Sequence, residues 1–414
     1  MDIMNLSNLE VYYQKSLNSL SHGNRKISKL SNPKYKMMVG NSQPRYINTI
    51  KRCSVDYILQ KFDSFALALS KKDRVAIIFH TDADGITSGV IAAKAVEQLC
   101  GKKPSLFLTP APSEVTISRK IIAELQKKKI NKVVIVDLNV DQEPESIKKV
   151  EKFAQILILD HHTIQNDVNS PKTTMLKPQF FSKISPSKFA ASKLVYDMFQ
   201  RHTNISDLAW LAVIGIYGDM AEDEWKDFIS EVRQKDKITP EKIQKAGGLI
   251  VYARSFDEKN GPMKAFKVFY SATSIDDVLD SGLSKYAEKI EKELAHFIEK
   301  REQLAQFYPE KKLLIYEISP RYNIKSELVN RLSRNFYPGM TCIVIQEKGK
   351  IASISARNQT GSVSMNDLMI RATNGIPGAS GGGHVQAAGA SITDKGKWVE
   401  VFLKRIGDLC QTDR

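Results

Sequence analysis

Cysteine is scarce in this sequence: its 414 residues hold only Cys53, Cys100, Cys342 and Cys410, far apart and never in a CxxC pair. That scatter excludes a zinc ribbon and a dense disulfide framework, and it suits a reducing compartment. Long apolar runs are missing too. No stretch reaches the roughly 20 residues that span a bilayer, and Met1 to Leu20 mixes Asp, Asn, Glu and Lys where a signal peptide carries an apolar segment. The expectation is a cytoplasmic protein with no membrane association. Acidic residues are in deficit, with 46 Asp plus Glu against 61 Lys plus Arg and a net charge of +15. Such an excess points to polyanionic partners or substrates. What is present is ordinary globular composition, 42% hydrophobic and 26% charged, which excludes a disordered, collagenous or coiled-coil chain. The length suits two or three domains.

Residues 1–65 read as a basic N-terminal extension, with Lys15, Arg25, Lys26, Lys29, Lys34, Lys36, Arg45, Lys51 and Arg52 among few acids, and with Pro33 and Pro44 as helix breakers. A helix is expected at Asn8 to Leu17 and a second from Ile47 to Leu69, leading into the next unit. From Arg74 onward, apolar runs (Val75 to Phe79, Ser105 to Leu108, Lys132 to Val136, Ile156 to Leu159) alternate with amphipathic stretches (Ile86 to Leu99, Val115 to Lys127, Pro144 to Phe153). Strands alternating with helices predict βαβ units and a parallel sheet over 66–224. Residues 225–310 are highly charged and predict a helical connecting region. A second, smaller α/β unit is expected over 311–414, with a hairpin about Lys348-Gly349-Lys350, a Gly-rich segment at 375–390 and a closing helix from Lys397 to Leu409.

Four apolar runs end in carboxylates. Val75 to Phe79 leads into His80-Thr81-Asp82-Ala83-Asp84-Gly85, Val133 to Val136 into Asp137, Ile156 to Leu159 into Asp160-His161-His162, and Leu208 to Gly218 into Asp219. In an open parallel sheet, ligands bind outside the carboxyl ends of the strands, so these groups are expected to converge on one edge. Converging carboxylates repel one another and acquire raised pKa values unless a cation neutralises them. A single Asp at a strand end is ordinarily a cap or turn former; four in register are harder to obtain by chance. Oxygen-rich ligands with some imidazole favour Mn²⁺ or Mg²⁺. Two such ions roughly 3.5–4 Å apart activate water for in-line displacement at phosphorus. Phosphoester or phosphoanhydride hydrolysis is therefore the expected chemistry.

The second unit offers Gly381-Gly382-Gly383-His384, followed by small residues to Ala390. A glycine run lets backbone N–H groups approach a phosphate, and the residues after His384 suit a closely packed helix with its N-terminus toward an anion. Arg357, after the run Ile351 to Ser355, offers a bidentate phosphate contact.

Taken as a set, these motifs resemble the DHH phosphoesterases that carry a DHHA1 domain, and within them the archaeal RecJ-like exonucleases. The resemblance implies two divalent cations, Mn²⁺ preferred and Mg²⁺ admitted, held by His80, Asp82, Asp84, Asp137, His161 and Asp219, with Asp137 bridging. It implies catalytic roles for Asp160, His161 and His162, and substrate binding by Arg357, Gly381, Gly382, Gly383 and His384. The activity it implies is hydrolysis of single-stranded DNA or RNA by a two-metal mechanism, in replication or repair. Two alternatives share the motifs: a nanoRNase or dinucleotide phosphodiesterase, and a replication or repair assembly factor docking on a GINS-type complex or a helicase. A homodimer is expected only because it is the commonest assembly.

Overall fold

The computed structural model describes residues 55–111, 116–349, 351–393, 400, 401 and 403–405. The basic extension up to residue 54 and most of the expected closing helix lie outside them.

Helix α1 (Val55–Leu67) leads into a first unit built from β1 (Val75–Phe79), α2 (Ala83–Cys100), β2 (Leu106–Leu108), α3 (Arg119–Lys127), β3 (Lys132–Val136), α4 (Pro144–Glu151), β4 (Gln155–Leu159) and β5 (Thr173–Leu176). The strands form a wholly parallel sheet in the order β2-β1-β3-β4-β5. Residues alternate across a strand, so Val75, Ile77 and Phe79 enter one core with α1 and α2, while Ala76 and Ile78 enter another with α3 and α4. Burial on both faces explains why β1 and β3 read as unbroken apolar runs. Strand β5, Thr173-Thr174-Met175-Leu176, has little apolar signal of its own and is a strand the sequence did not announce.

After the sheet come α5 (Ala191–Gln200) and α6 (Ala209–Gly218). The latter corrects the expectation of a fourth strand end. Leu208 to Gly218 is uniformly apolar because α6 is a helix buried on all sides, so it carries no 3.6-residue period to distinguish it from a buried strand.

The helices of 225–310 are divided between two cores. The helices α7 (Lys226–Asp236), α8 (Pro240–Phe256) and α9 (Gly261–Ser271) all pack into the first unit, α7 through Ile229 and Val232, and Phe266 of α9 stacks on Phe79 at 4.4 Å. The short α10 (Ile275–Leu279) is followed by α11 (Ser284–Glu299), whose Ile290 and Leu294 instead cover the second sheet.

Beyond α12 (Arg301–Leu304), the second unit comprises β6 (Gln306–Tyr308), β7 (Leu313–Ile318), α13 (Lys325–Arg331), β8 (Thr341–Lys348), β9 (Ile351–Asn358), α14 (Met365–Thr373), β10 (Ala379–Gly383) and β11 (Ala387–Ile392). Its mixed sheet has the order β10-β11-β9-β8-β7-β6, with β7 and β8 parallel. The expected β8–β9 hairpin is present, with Gly349 at φ +62°. Among the described residues, no helix is long and apolar enough to cross a membrane.

Candidate metal centre

The carboxyl ends of β1, β3 and β4 and the C-terminal end of α6 meet at one place. Asp82 caps α2 by accepting the Gly85 N–H at 2.9 Å, and its other oxygen lies 2.7 Å from His80 Nδ1. Two residues apart on extended backbone, Asp82 and Asp84 would point the same way, but they do not. Because α2 already begins at Ala83, Asp84 turns inward and accepts the N–H groups of Ala191 and Ser192 at the start of α5, at 2.6 and 2.9 Å.

Asp137 is the hub. Its Oδ1 lies 3.2 Å from His161 Nε2 and its Oδ2 3.6 Å from His80 Nδ1. It adopts φ +54°, a left-handed conformation that Asp tolerates better than most residues and that clusters at functional sites. His161 Nδ1 is engaged by the Pro186 carbonyl at 2.9 Å, which leaves Nε2 directed between Asp137 and Asp219, 3.6 Å from Asp219 Oδ2. Three sets of potential ligand atoms result: His80, Asp82 and Asp137; Asp84, His161 and Asp219; Asp137, His161 and His162. The first two separate the motif's two aspartates, and Asp137 and His161 link the sets.

Electrostatics describe a crowded anionic site. Burial and the neighbouring Asp137 push the Asp84 carboxyl up to about 6. Burial and Asp84 push Asp219 well above the usual carboxylate range. Burial opposes protonation of His80 and His161, yet Asp82 and Asp137 around the first, and Asp137 and Asp219 around the second, hold both well above the usual imidazole value. Asp137 Oδ1 and Asp219 Oδ2 are buried and accept no hydrogen bond. Two orphaned carboxylate oxygens flanking imidazoles fit divalent cations with mixed oxygen and nitrogen ligands.

Asp160 and His162 form a separate device. His162 Nδ1 bonds Asp160 Oδ1 at 2.7 Å, and the second Asp160 oxygen pairs at 2.8 Å with Lys177, which is fully buried and also pairs with Asp141 at 2.8 Å. Although burial opposes it, the His162 bond and the positive neighbours hold the Asp160 carboxyl below its ordinary range. Lys177 and Asp141 were not anticipated: β5, which Lys177 follows, has too little apolar signal to mark the lysine as a strand-end residue.

Of the second unit's expected residues, Arg357 and His384 come to one end of the sheet, where β9 Arg357 pairs with Ala387 beside the β10–β11 turn that carries His384. Burial and the proximity of His162 and His161 lower the His384 pKa, so this turn faces the first unit's centre. Arg357 Nε donates to Asn330 at 2.7 Å. The expected helix after His384 is absent: the glycines form β10, and Ala387 onward forms β11. Gly381 packs so closely on α14 that a Cβ would lie 2.7 Å from the Met369 carbonyl, and the Gly383 and His384 N–H groups bond Asn366 and Ala387. Glycine here serves close packing and a turn, so the segment is no helix N-terminus for an anion. Arg254 of α8 and Arg334 also stand near the cleft, the first close enough to Asp82 to help lower its pKa and both beside Glu327. Scattered arginines carry no motif, and sequence reasoning missed them.

A doubly wound α/β unit with an acid–imidazole cluster at its strand ends, facing a basic second unit, defines a class of phosphoester hydrolases. The N-terminal domain model of the DHH family matches residues 74–216 and the DHHA1 domain model matches residues 311–412, so the chain belongs to the DHH/DHHA1 phosphoesterases. Similar solved structures include a DHH-domain member of a family of ribosomal proteins, with 16% identity, TM-score 0.68, 84% of this chain and 90% of that one covered. Exonuclease RecJ bound to manganese matches at 14% identity and TM-score 0.61, over 86% of this chain and 94% of that one. RecJ from Thermus thermophilus in complex with Mn²⁺ matches at 14% and 0.63, over 86% and 55%. At such identities the likeness is one of fold. No curated protein sequence matches the chain.

Proposed function

We propose that this protein is a divalent-metal-dependent phosphodiesterase that shortens single-stranded DNA or RNA from an end. The observation that carries the reading is the pair of orphaned, buried carboxylate oxygens of Asp137 and Asp219 beside His161, set opposite Arg357 and His384 across the cleft. His80, Asp82 and Asp137 would hold one cation and Asp84, His161 and Asp219 a second, with Asp137 able to serve both. Cations there lower the pKa of water and neutralise charge developing on the phosphate. The chain's own contribution is placement. Asp160 fixes His162 with its Nδ1 committed, so Nε2 is the atom left to contact water or a phosphate oxygen. Arg357 and His384 contact the phosphate from the second unit, and the excess of 61 basic over 46 acidic residues supports a polymeric anion.

The test is a Mn²⁺-dependent time course on 5′- and 3′-labelled single-stranded DNA and RNA, with a labelled dinucleotide alongside and Asp137→Ala as control. Stepwise shortening from one end, lost in the variant, is expected. Cleavage of the dinucleotide alone would replace this reading with a small-substrate phosphodiesterase, and the absence of metal-dependent cleavage would contradict it.

A further inference from the structure

Away from the metal centre, residues of the two units line an open cavity of about 510 Å³. Its first wall is the C-terminal turn of α8 with the loop beyond it: Ser255, Phe256, Asp257, Glu258 and Lys259. Its second is the segment between β7 and α13, Arg321, Tyr322 and Asn323, and Lys348 stands at the β8–β9 turn. That volume falls within the range of small-molecule sites, which occur preferentially where domains meet.

Three features make this more than a gap. First, its wall belongs to an aromatic stack: Phe256 lies on Tyr286 at 4.5 Å and 20°, and on Tyr322 at 4.9 Å and 27°. Second, the rim is cationic. Arg321 stands 5.5 Å from the centre of the Tyr322 ring, Lys289 stands 5.1 Å from that of Phe256, and Lys259 is exposed. The two acids on the wall are already engaged, Asp257 by Lys264 at 3.3 Å and Glu258 by Lys348 at 3.2 Å. Third, the walls are fixed. Glu293 of α11 accepts the backbone N–H groups of Arg321 and Tyr322 at 2.6 and 3.0 Å, and the Asn323 N–H bonds the Ser255 carbonyl at 3.0 Å.

Two further cations border the cavity. Lys325 bonds Asn323 of the second wall at 2.9 Å, and Arg254 directly precedes Ser255 of the first wall on α8, the helix that packs into the first unit's core. Arg254 and Lys325 thus extend the cationic rim along the junction of the two units. An aromatic wall and a cationic rim match what a single strand presents, namely a base with a π face and a phosphate on each side.

We infer that this cavity is a nucleotide subsite, holding a base and phosphate of a strand whose scissile phosphate lies at the metal centre. The inference rests on the proposed nuclease reading and adds to it how a polymer is distinguished from a dinucleotide: only a strand long enough to reach from the centre to the cavity occupies both sites.

The test uses metal-free full-length protein in EDTA and fluorescence anisotropy with 5′- and 3′-labelled oligodeoxynucleotides from two to twelve nucleotides. The variant is Arg321→Ala with Lys259→Ala, two exposed side chains away from the acid cluster. Wild-type affinity is expected to rise in a step once the strand reaches the cavity. In the variant the step falls by about 10-fold and the salt slope shrinks by about 1.4, as for two lost phosphate contacts on a single strand, while dinucleotide binding is unchanged. Equal affinity of variant and wild type for every length, or an equal loss for dinucleotide and long strand, would overturn the inference. Metal-dependent cleavage of long strands by wild type that is insensitive to the double substitution would sink the subsite alone. No metal-dependent cleavage of any substrate by wild type would sink the nuclease reading, whatever the binding data.

Discussion

Asp84 shows most directly what crowding does to a side chain, its carboxyl being pushed up to about 6 by burial and Asp137. A carboxyl whose folded pKa exceeds its unfolded value binds more protons in the native state. Its favourable contribution to stability is therefore full at acid pH and is lost as pH rises from the ordinary 3.8 through about 6. The raised imidazoles of His80 and His161 act in the same sense, stabilising below their ordinary 6.5 and ceasing to do so as pH rises through their higher folded values. The lowered carboxyls of Asp82 and Asp160 act oppositely, but only below the ordinary 3.8. Metal-free protein is thus expected to lose thermal stability from about pH 5 to about pH 8, while the stabilisation conferred by Mn²⁺ grows over the same range because its ligands must be deprotonated. Melting curves in EDTA and in Mn²⁺ check this, and a metal-free profile that rises with pH would contradict it. Lys177 supplies a second prediction. With Asp141 and Asp160 both buried against it, Lys177→Met leaves two carboxylates without their cation, an expected loss of about 3–5 kcal/mol in urea unfolding. Most of the cluster was legible at this scale, because acids and histidines directly after buried strands have few other reasons to be there. Lys177 and Arg254 were not, since a lone cation acquires meaning only from the three-dimensional neighbours that surround it.

At the scale of elements, the parallel strands could be read from their apolar runs, and α6 could not. A helix buried on every side and a buried strand have the same composition, and only length and neighbours separate them. The helical form matters for the site, since α6 delivers Asp219 from its C-terminal end and passes Gly215 tightly against Asp84. A Cβ at Gly215 would collide with Asp84 Oδ1 and Ser192 Oγ. Gly215→Ala is expected to cost about 1–3 kcal/mol of stability through overpacking and to weaken metal affinity by displacing Asp84. Thermal melts and metal titrations of the variant measure the two effects, and an unperturbed melting temperature would contradict the packing. The Gly381 to Gly383 segment shows the same ambiguity in reverse. Glycine runs look alike whether they open a helix or let a strand pass close to a helix, and here β10 lies against α14.

Across the whole molecule, the centre is completed by the way the two units are joined. Helix α8 belongs to the first core yet carries Tyr252, which shares a network with Glu291 of α11 and Arg331 of α13; Arg331 donates to Glu291 at 2.9 and 2.6 Å. Three helices, two from the connecting region and one from the second unit, thereby tie the two units together beside the cleft. Pairing across that cleft could not be read from sequence, because it depends on contacts such as Tyr252 to Glu291 between residues far apart along the chain. The central claim is that the acid–imidazole cluster is a metal centre. Isothermal titration of Mn²⁺ into metal-free wild type and Asp137→Asn tests it most directly. The account predicts about two ions per wild-type chain and a loss of tight binding in the variant, whose melting temperature in EDTA equals or exceeds that of wild type because the central like charge is gone. Absence of tight binding by wild type, or identical titrations for the two proteins, would contradict it.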